Sequence, residues 1–228
     1  MKIFEYSNIG NREQNQDYIS HREFSDGSAV FVLCDGMGGY SYGDIAAKVV
    51  GDAIVEFFDE HRTEHYPHKL LPESFKYAND RLMIERLGLS CKMGTVVVAA
   101  YLSNQKIYIS WLGDSRAYLY KNGKQVYVTE DHSLLNELKH IRPLTPTEIQ
   151  QYSSVVTECI MGDDRLPKVI PVTILNYNAE DELYLCSDGI HKELPLELLP
   201  KESESLKAYL DEAQSRISDN YSLLKVTL

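Results

Sequence analysis

Residues 28–34, Ser-Ala-Val-Phe-Val-Leu-Cys, form an unbroken apolar and β-branched run that stops at Asp35 and a glycine-rich stretch, Asp-Gly-Met-Gly-Gly. That pattern predicts a short strand delivering a carboxylate to a tight loop. Ile45, Ala46, Val49, Val50, Ala53, Ile54, Phe57 and Phe58 then recur at helical spacing, predicting a helix of about five turns with one apolar stripe, capped by Asp44. Leu71, Phe75, Ala78 and Leu82 predict a second helix over 72–87, with Pro72 in its first turn. Residues 95–102 are apolar throughout, as expected of a strand covered on both faces. Residues 106–112 alternate, and 115–121 and 124–129 flank Asn122-Gly123, a hairpin signal. Asp131 is placed to cap a short helix from Ser133, and 141–165 reads as a partly helical excursion broken by proline and threonine. Strands over 168–175 and 182–187, a helix over 205–217 and a last strand over 221–227 complete the pattern. Consecutive strands with helices inserted in pairs predict an α+β fold of antiparallel sheets with helices packed outside, in a single domain over 1–228.

Composition narrows the partners. Thirty-four acidic against 23 basic residues give a net charge of −11, so the molecule as a whole repels nucleic acid and anionic membrane. A phosphorylated partner therefore needs local positive charge. Cys34, Cys91, Cys159 and Cys186 show neither a CxxC pair nor zinc spacing, which points to a reducing compartment. Residues 1–17 lack the apolar core of a secretory signal and no stretch is long enough to span a membrane, so a cytoplasmic protein is expected. His61, His65 and His68 have a spacing that could hold zinc, but with Pro67 in the run and no partner cysteine they read as a solvated helix end.

Three strands end alike: Phe-Val-Leu-Cys before Asp35-Gly36, Ile-Ser-Trp-Leu-Gly before Asp114, and Leu-Tyr-Leu-Cys-Ser before Asp188-Gly189. One Asp-Gly after a strand is ordinarily a turn. Three of them, joined by Asp17 and Asp219, suggest a cluster. Two carboxylates about 4 Å apart at an effective dielectric near 20 repel by roughly 4 kcal/mol, so such a cluster demands cations. The donors are all hard oxygens, which favours Mg²⁺ or Mn²⁺ over zinc. A calcium loop starting at Asp35 fails because Ala46 stands where a glutamate is needed. Nucleotide loops fail because Ser41 replaces the third glycine of one pattern and Gln125 follows Gly123-Lys124 in the other. Arg116 reads as a buried ion-pair partner and His132 as structural.

The ordered set of Gly10, Arg12, Asn15-Gln16-Asp17, then VLCDGMGG with GDIAA, MGT, WLGDSRAYLY, TEDHS, LCSDG and SDN resembles the type-2C metal-dependent protein phosphatases, the PPM family, in their bacterial form. The resemblance spans nearly the whole chain. It implies a four-layer α/β/β/α sandwich, two stacked antiparallel sheets flanked by helix pairs. It also implies hydrolysis of phosphoserine and phosphothreonine in proteins by two Mn²⁺ or Mg²⁺ ions with a bridging water as nucleophile. By position, Asp35 would bridge the ions with the Gly36 carbonyl beside it, Asp188 and Asp219 would complete the second site, and Asp17 would support the other through water. Asp114 with Asp188 would hold a third, weaker ion, and Arg12 would grip the phosphate. Arg12, Asp35, Asp188 and Asp219 are thus the implied catalytic residues. The partners would be phosphoproteins, a Ser/Thr kinase and its targets among them, with no nucleic acid or membrane, and the chain a monomer. Three departures stand out: Met37 where animal relatives carry histidine, a flap (YSSVVTECIMG) that is short and lacks a His-Pro pair, and Ser222 in place of threonine. A catalytically weak relative that binds a partner, or an unrelated metal hydrolase of small phosphate esters, are the alternatives.

Overall fold

In β3 (Ala29–Gly36), Ala29, Phe31 and Leu33 face one way and Val30, Val32 and Cys34 the other, as the period of a strand requires, and all six are fully buried. A strand buried on both faces needs a layer on each side. The computed structural model, which describes residues 1–37, 42–63 and 66–228, supplies them. One antiparallel sheet runs β2 (Asp17–Glu23), β3, β4 (Thr95–Ser103), β5 (Lys106–Leu112), β8 (Thr173–Asn176). The other runs β1 (Lys2–Asn8), β10 (Tyr221–Thr227), β9 (Glu182–Cys186), β6 (Arg116–Lys121), β7 (Lys124–Val128).

Between the sheets, Phe31, Leu33, Val98 and Ile109 meet Leu119, Leu183, Leu185 and Leu224. Each such side chain stabilises by roughly 2 kcal/mol on burial, so this layer holds the two sheets in fixed relation. Outside the first sheet, α1 (Gly43–His61) and α2 (Pro67–Leu89) lay Val50, Ile54, Phe58, Leu71 and Phe75 over Val32 and Val97. Outside the second, α5 (Asp188–His191) and α6 (Ser203–Ala213) cover Tyr184 and Leu223 with Ile190, Leu206 and Leu210. The order is α/β/β/α, as expected. Two short helices, α3 (Leu134–Ile141) and α4 (Pro146–Tyr152), lie in the excursion, tied back by single bridges between Ser133 and Val156 and between Thr95 and Ile160. No helix among the described residues is long and apolar enough to cross a membrane.

Several local expectations are corrected. The strands β1 and β2 carry no clean alternation because each is a sheet edge with a half-exposed face. Tyr42, not Asp44, precedes α1, whose first residue packs on Gly36: a Cβ there would meet the Gly43 carbonyl oxygen at 2.3 Å. The second helix starts at Pro67, so Pro72 lies inside it and has no amide hydrogen to donate to the carbonyl of His68. Ser133 caps α3 by accepting from the Asn136 amide, because Asp131 is taken by Arg116. The strand expected over 168–175 is found only over Thr173–Asn176, after Pro171, which has no amide hydrogen to give a ladder. The 122–123 turn has φ of 51° and 73°, the positive pair a tight hairpin needs.

Candidate active site

The register of β2 against β3 sets Asp17 directly across from Asp35. Both continue the strand faces that point between the sheets, so two like charges sit opposite each other where the sandwich opens. From the other sheet, Ser187 at the end of β9 donates its hydroxyl to Asp17 Oδ2 at 2.8 Å, while Asp17 Oδ1 is buried with no partner among the described residues. Asp188 follows at the start of α5, and Asp219 precedes β10. Asp35, Gly36, Met37, Asp114, Asp188, Asp219, Arg12 and Lys192 line one open cleft of about 860 Å³, with Asp17 behind it.

The loop carrying Arg12 is built on the 217–220 segment. Asn220, 6% exposed, donates to the carbonyls of Ile9 and Gln14 and accepts from the Gln16 amide. Gly10 has φ of 57° and lies so close to Asp219 that a Cβ would fall 2.1 Å from its carbonyl oxygen. Arg12, half-exposed, thereby reaches Asp219 Oδ2 at 2.6 Å. Across the cleft, Lys192 Nζ lies 2.9 Å from Asp114 Oδ2 and 2.7 Å from Asp188 Oδ2. His191 Nε2 is 2.8 Å from the Asp114 carbonyl oxygen, to which only a protonated ring nitrogen can donate.

These contacts set the charges. Burial first, then Asp17, Asp188, Asp114 and Asp219, push the Asp35 carboxyl well above the usual range. Burial raises Asp17 to about 7, against the opposing influence of the nearby Ser222 and Ser187 hydroxyls. Asp114 is raised by burial and Asp188, with Lys192 opposing. Burial works against the Lys192 charge, but Asp188 and Asp114 outweigh it and its pKa is raised.

An orphaned buried carboxylate oxygen, a second carboxyl pushed upward by its neighbours and a donor set of hard oxygens fit Mg²⁺ or Mn²⁺. Among the described residues, no three His, Cys, Asp or Glu side chains gather tightly enough to form a ready-made cage. The outer carboxylates are engaged by Arg12 and Lys192 instead. In the Asp114–Asp188 pair the Lys192 ammonium bridges the two carboxylates.

All the sequence-predicted acids and Arg12 converge on the cleft or directly behind it. Lys192, Asn220 and Ser187 were not anticipated, although Lys192 stands four residues after Asp188, a spacing that would have spoken had 188–192 been read as helical. Arg116 forms the expected ion pair, bidentate to Asp131 at 2.6 and 2.8 Å. His132 stacks on Trp111 with ring centroids 5.5 Å apart. Gly38 and Gly39 of the first glycine-rich loop, Ser41 and His65 lie outside the described residues; His61 stacks on Phe57 and His68 on Tyr66.

A four-layer sandwich with carboxylates from both sheets on one open cleft is an arrangement suited to a metal-dependent hydrolase. The family model described as Protein phosphatase 2C matches residues 5–226. Protein phosphatase PhpP of Streptococcus pneumoniae is 33% identical over 205 residues, which is 83% of this chain and 79% of that one. The chain belongs to the protein phosphatase 2C family. A solved bacterial serine phosphatase aligns over 100% of this chain and 97% of its own, with 25% identity and a TM-score of 0.84. The catalytic domain of the serine threonine protein phosphatase PstP, solved in complex with 2 manganese ions, shares the fold at a TM-score of 0.78 and 22% identity, over 98% and 96% of the two chains.

Proposed function

We propose that residues 1–228 act as one catalytic domain that hydrolyses phosphoserine and phosphothreonine in proteins at a binuclear Mn²⁺ or Mg²⁺ centre, opposing a Ser/Thr kinase. The observation that carries this reading is the Asp17–Asp35 pair, two like charges set opposite each other with one buried oxygen left without a partner. A fold keeps such repulsion where a cation relieves it. The two manganese ions of the PstP neighbour support the choice of metal.

In this reading Asp35 and the Gly36 carbonyl serve from one sheet, and Asp188 and Asp219 from the other, with Asp17 behind them. Divalent ions held by these residues would lower the pKa of a bound water and offset charge on the phosphoryl oxygens. Arg12, half-exposed and held to Asp219 by one hydrogen bond, turns its guanidinium to a substrate phosphate as a bidentate fork. It supplies positive charge that the acidic whole lacks. Met37 has no proton to give, so the leaving alkoxide takes its proton from a water or from another group in the cleft.

Hydrolysis of a phosphothreonine peptide with and without Mn²⁺ tests this. Asp35→Ala is expected to abolish turnover while circular dichroism stays native, and Arg12→Ala to raise KM by roughly 10-fold or more with a smaller effect on kcat. Near-normal hydrolysis by the Asp35 variant overturns the assignment. A chain indifferent to manganese and inactive on every phosphopeptide points to a binding scaffold instead.

A further inference from the structure

We propose that Lys192 is a resident cation of the active site, its ammonium standing at the Asp114–Asp188 pair where the family resemblance implies a third metal ion. The inference rests on the binuclear reading only for the role it leaves to Asp188.

The geometry is that of a built site. Lys192 lies just past the last turn of α5, four residues after Asp188, so the two side chains share one helix face. Its Nζ bridges Asp188 Oδ2 at 2.7 Å and Asp114 Oδ2 at 2.9 Å. Asp114 is only 6% exposed and has little access to other counter-charge. The neighbouring His191 donates to the carbonyl of the same aspartate, so two consecutive side chains at the end of one short helix hold Asp114 in place. The Lys192 amide in turn donates to the Asp188 carbonyl, closing the turn that aims the ammonium.

Lys192 differs in this from Arg12. The arginine makes one contact from a half-exposed loop and can exchange it for a phosphate, whereas the lysine makes two and its side chain is 37% exposed. A lysine head is a compact point charge that neutralises a carboxylate pair without a coordination shell. A divalent ion entering the same pair would have to displace the ammonium or stand beside it against direct repulsion. The consequence is a site set for two ions, with Asp188 pre-positioned by its bond to Lys192.

Counting bound Mn²⁺ per chain, by titration calorimetry and by the electron paramagnetic resonance of free Mn²⁺, tests this apart from activity. Lys192→Met is expected to take up one more ion than the wild type, and adding Asp114→Asn to that chain should remove it. In the wild-type background Asp114→Asn alone should leave the count unchanged, an arm that holds even if Lys192→Met fails to fold. An equal count in the Lys192 variant, or an ion lost on Asp114→Asn alone, overturns the inference. A wild type that takes up no ion overturns the binuclear reading. In that event an ion gained by Lys192→Met still upholds the role of the lysine, and no gain sinks both.

Discussion

Asp17 is the residue whose surroundings suit it least. It faces Asp35 across the sheet, accepts one hydroxyl from Ser187 and keeps its other oxygen buried without a partner. Replacing it with asparagine removes the charge but keeps the shape. Asp17→Asn is therefore expected to stabilise the metal-free protein by about 1 kcal/mol, the scale of a like-charge cross-strand pair. It should also weaken Mn²⁺ binding by roughly 10-fold, as loss of a supporting outer group does. Melting curves in chelator and in Mn²⁺ check both halves, and a variant less stable than wild type in chelator would show that Asp17 is satisfied after all. Asn220 acts at the same scale but in the other direction, since its side chain meets three backbone groups of the Arg12 loop and so fixes where the arginine can reach.

Among the elements, the segment after the flap is fastened to α2 through Asp163, which meets Arg86 at 3.0 Å and Arg165 at 2.6 Å. Arg165 first, then Arg86, hold its carboxyl at about 2 rather than the ordinary 3.8. A pKa lowered on folding adds stability that is fully present above pH 3.8 and lost as pH falls through 2. Asp163→Asn is expected to cost on the order of 1–2 kcal/mol at pH 7 after allowance for solvent screening, with the gap from wild type closing below pH 4. Denaturant midpoints across that range measure it, and a gap independent of pH would locate the effect elsewhere. Elements with a local signature were legible from sequence: β3 and β4 by continuous burial, and the β6–β7 hairpin by Asn122-Gly123. The edge strands β1 and β2 were not, because each leaves one face half-exposed and so carries no clean alternation, and β1 pairs with β10 at the far end of the chain. The four residues of α5 were too short for periodicity to register. Lys192 was missed with them, while every acid of the cleft was legible because each follows a strand or sits in a recognisable motif.

For the whole molecule, a net charge of −11 favours cation uptake generally, but the tight sites should report in folding stability. Mn²⁺ at about 100 times its Kd adds roughly 2.7 kcal/mol per site. For a chain of this size that raises Tm by about 5–10 °C per ion, read by scanning calorimetry with and without chelator. An unchanged Tm would count against binding at a preformed site. The placement of the acids has one more consequence. Asp17 and Asp35 ride on one half of the sandwich, and Asp188 and Asp219 on the other, joined only when Phe31 and Leu33 close against Leu185 and Leu224. A polypeptide that has organised only one half holds an incomplete set of the proposed ligands, so metal uptake would double as a gauge of finished assembly.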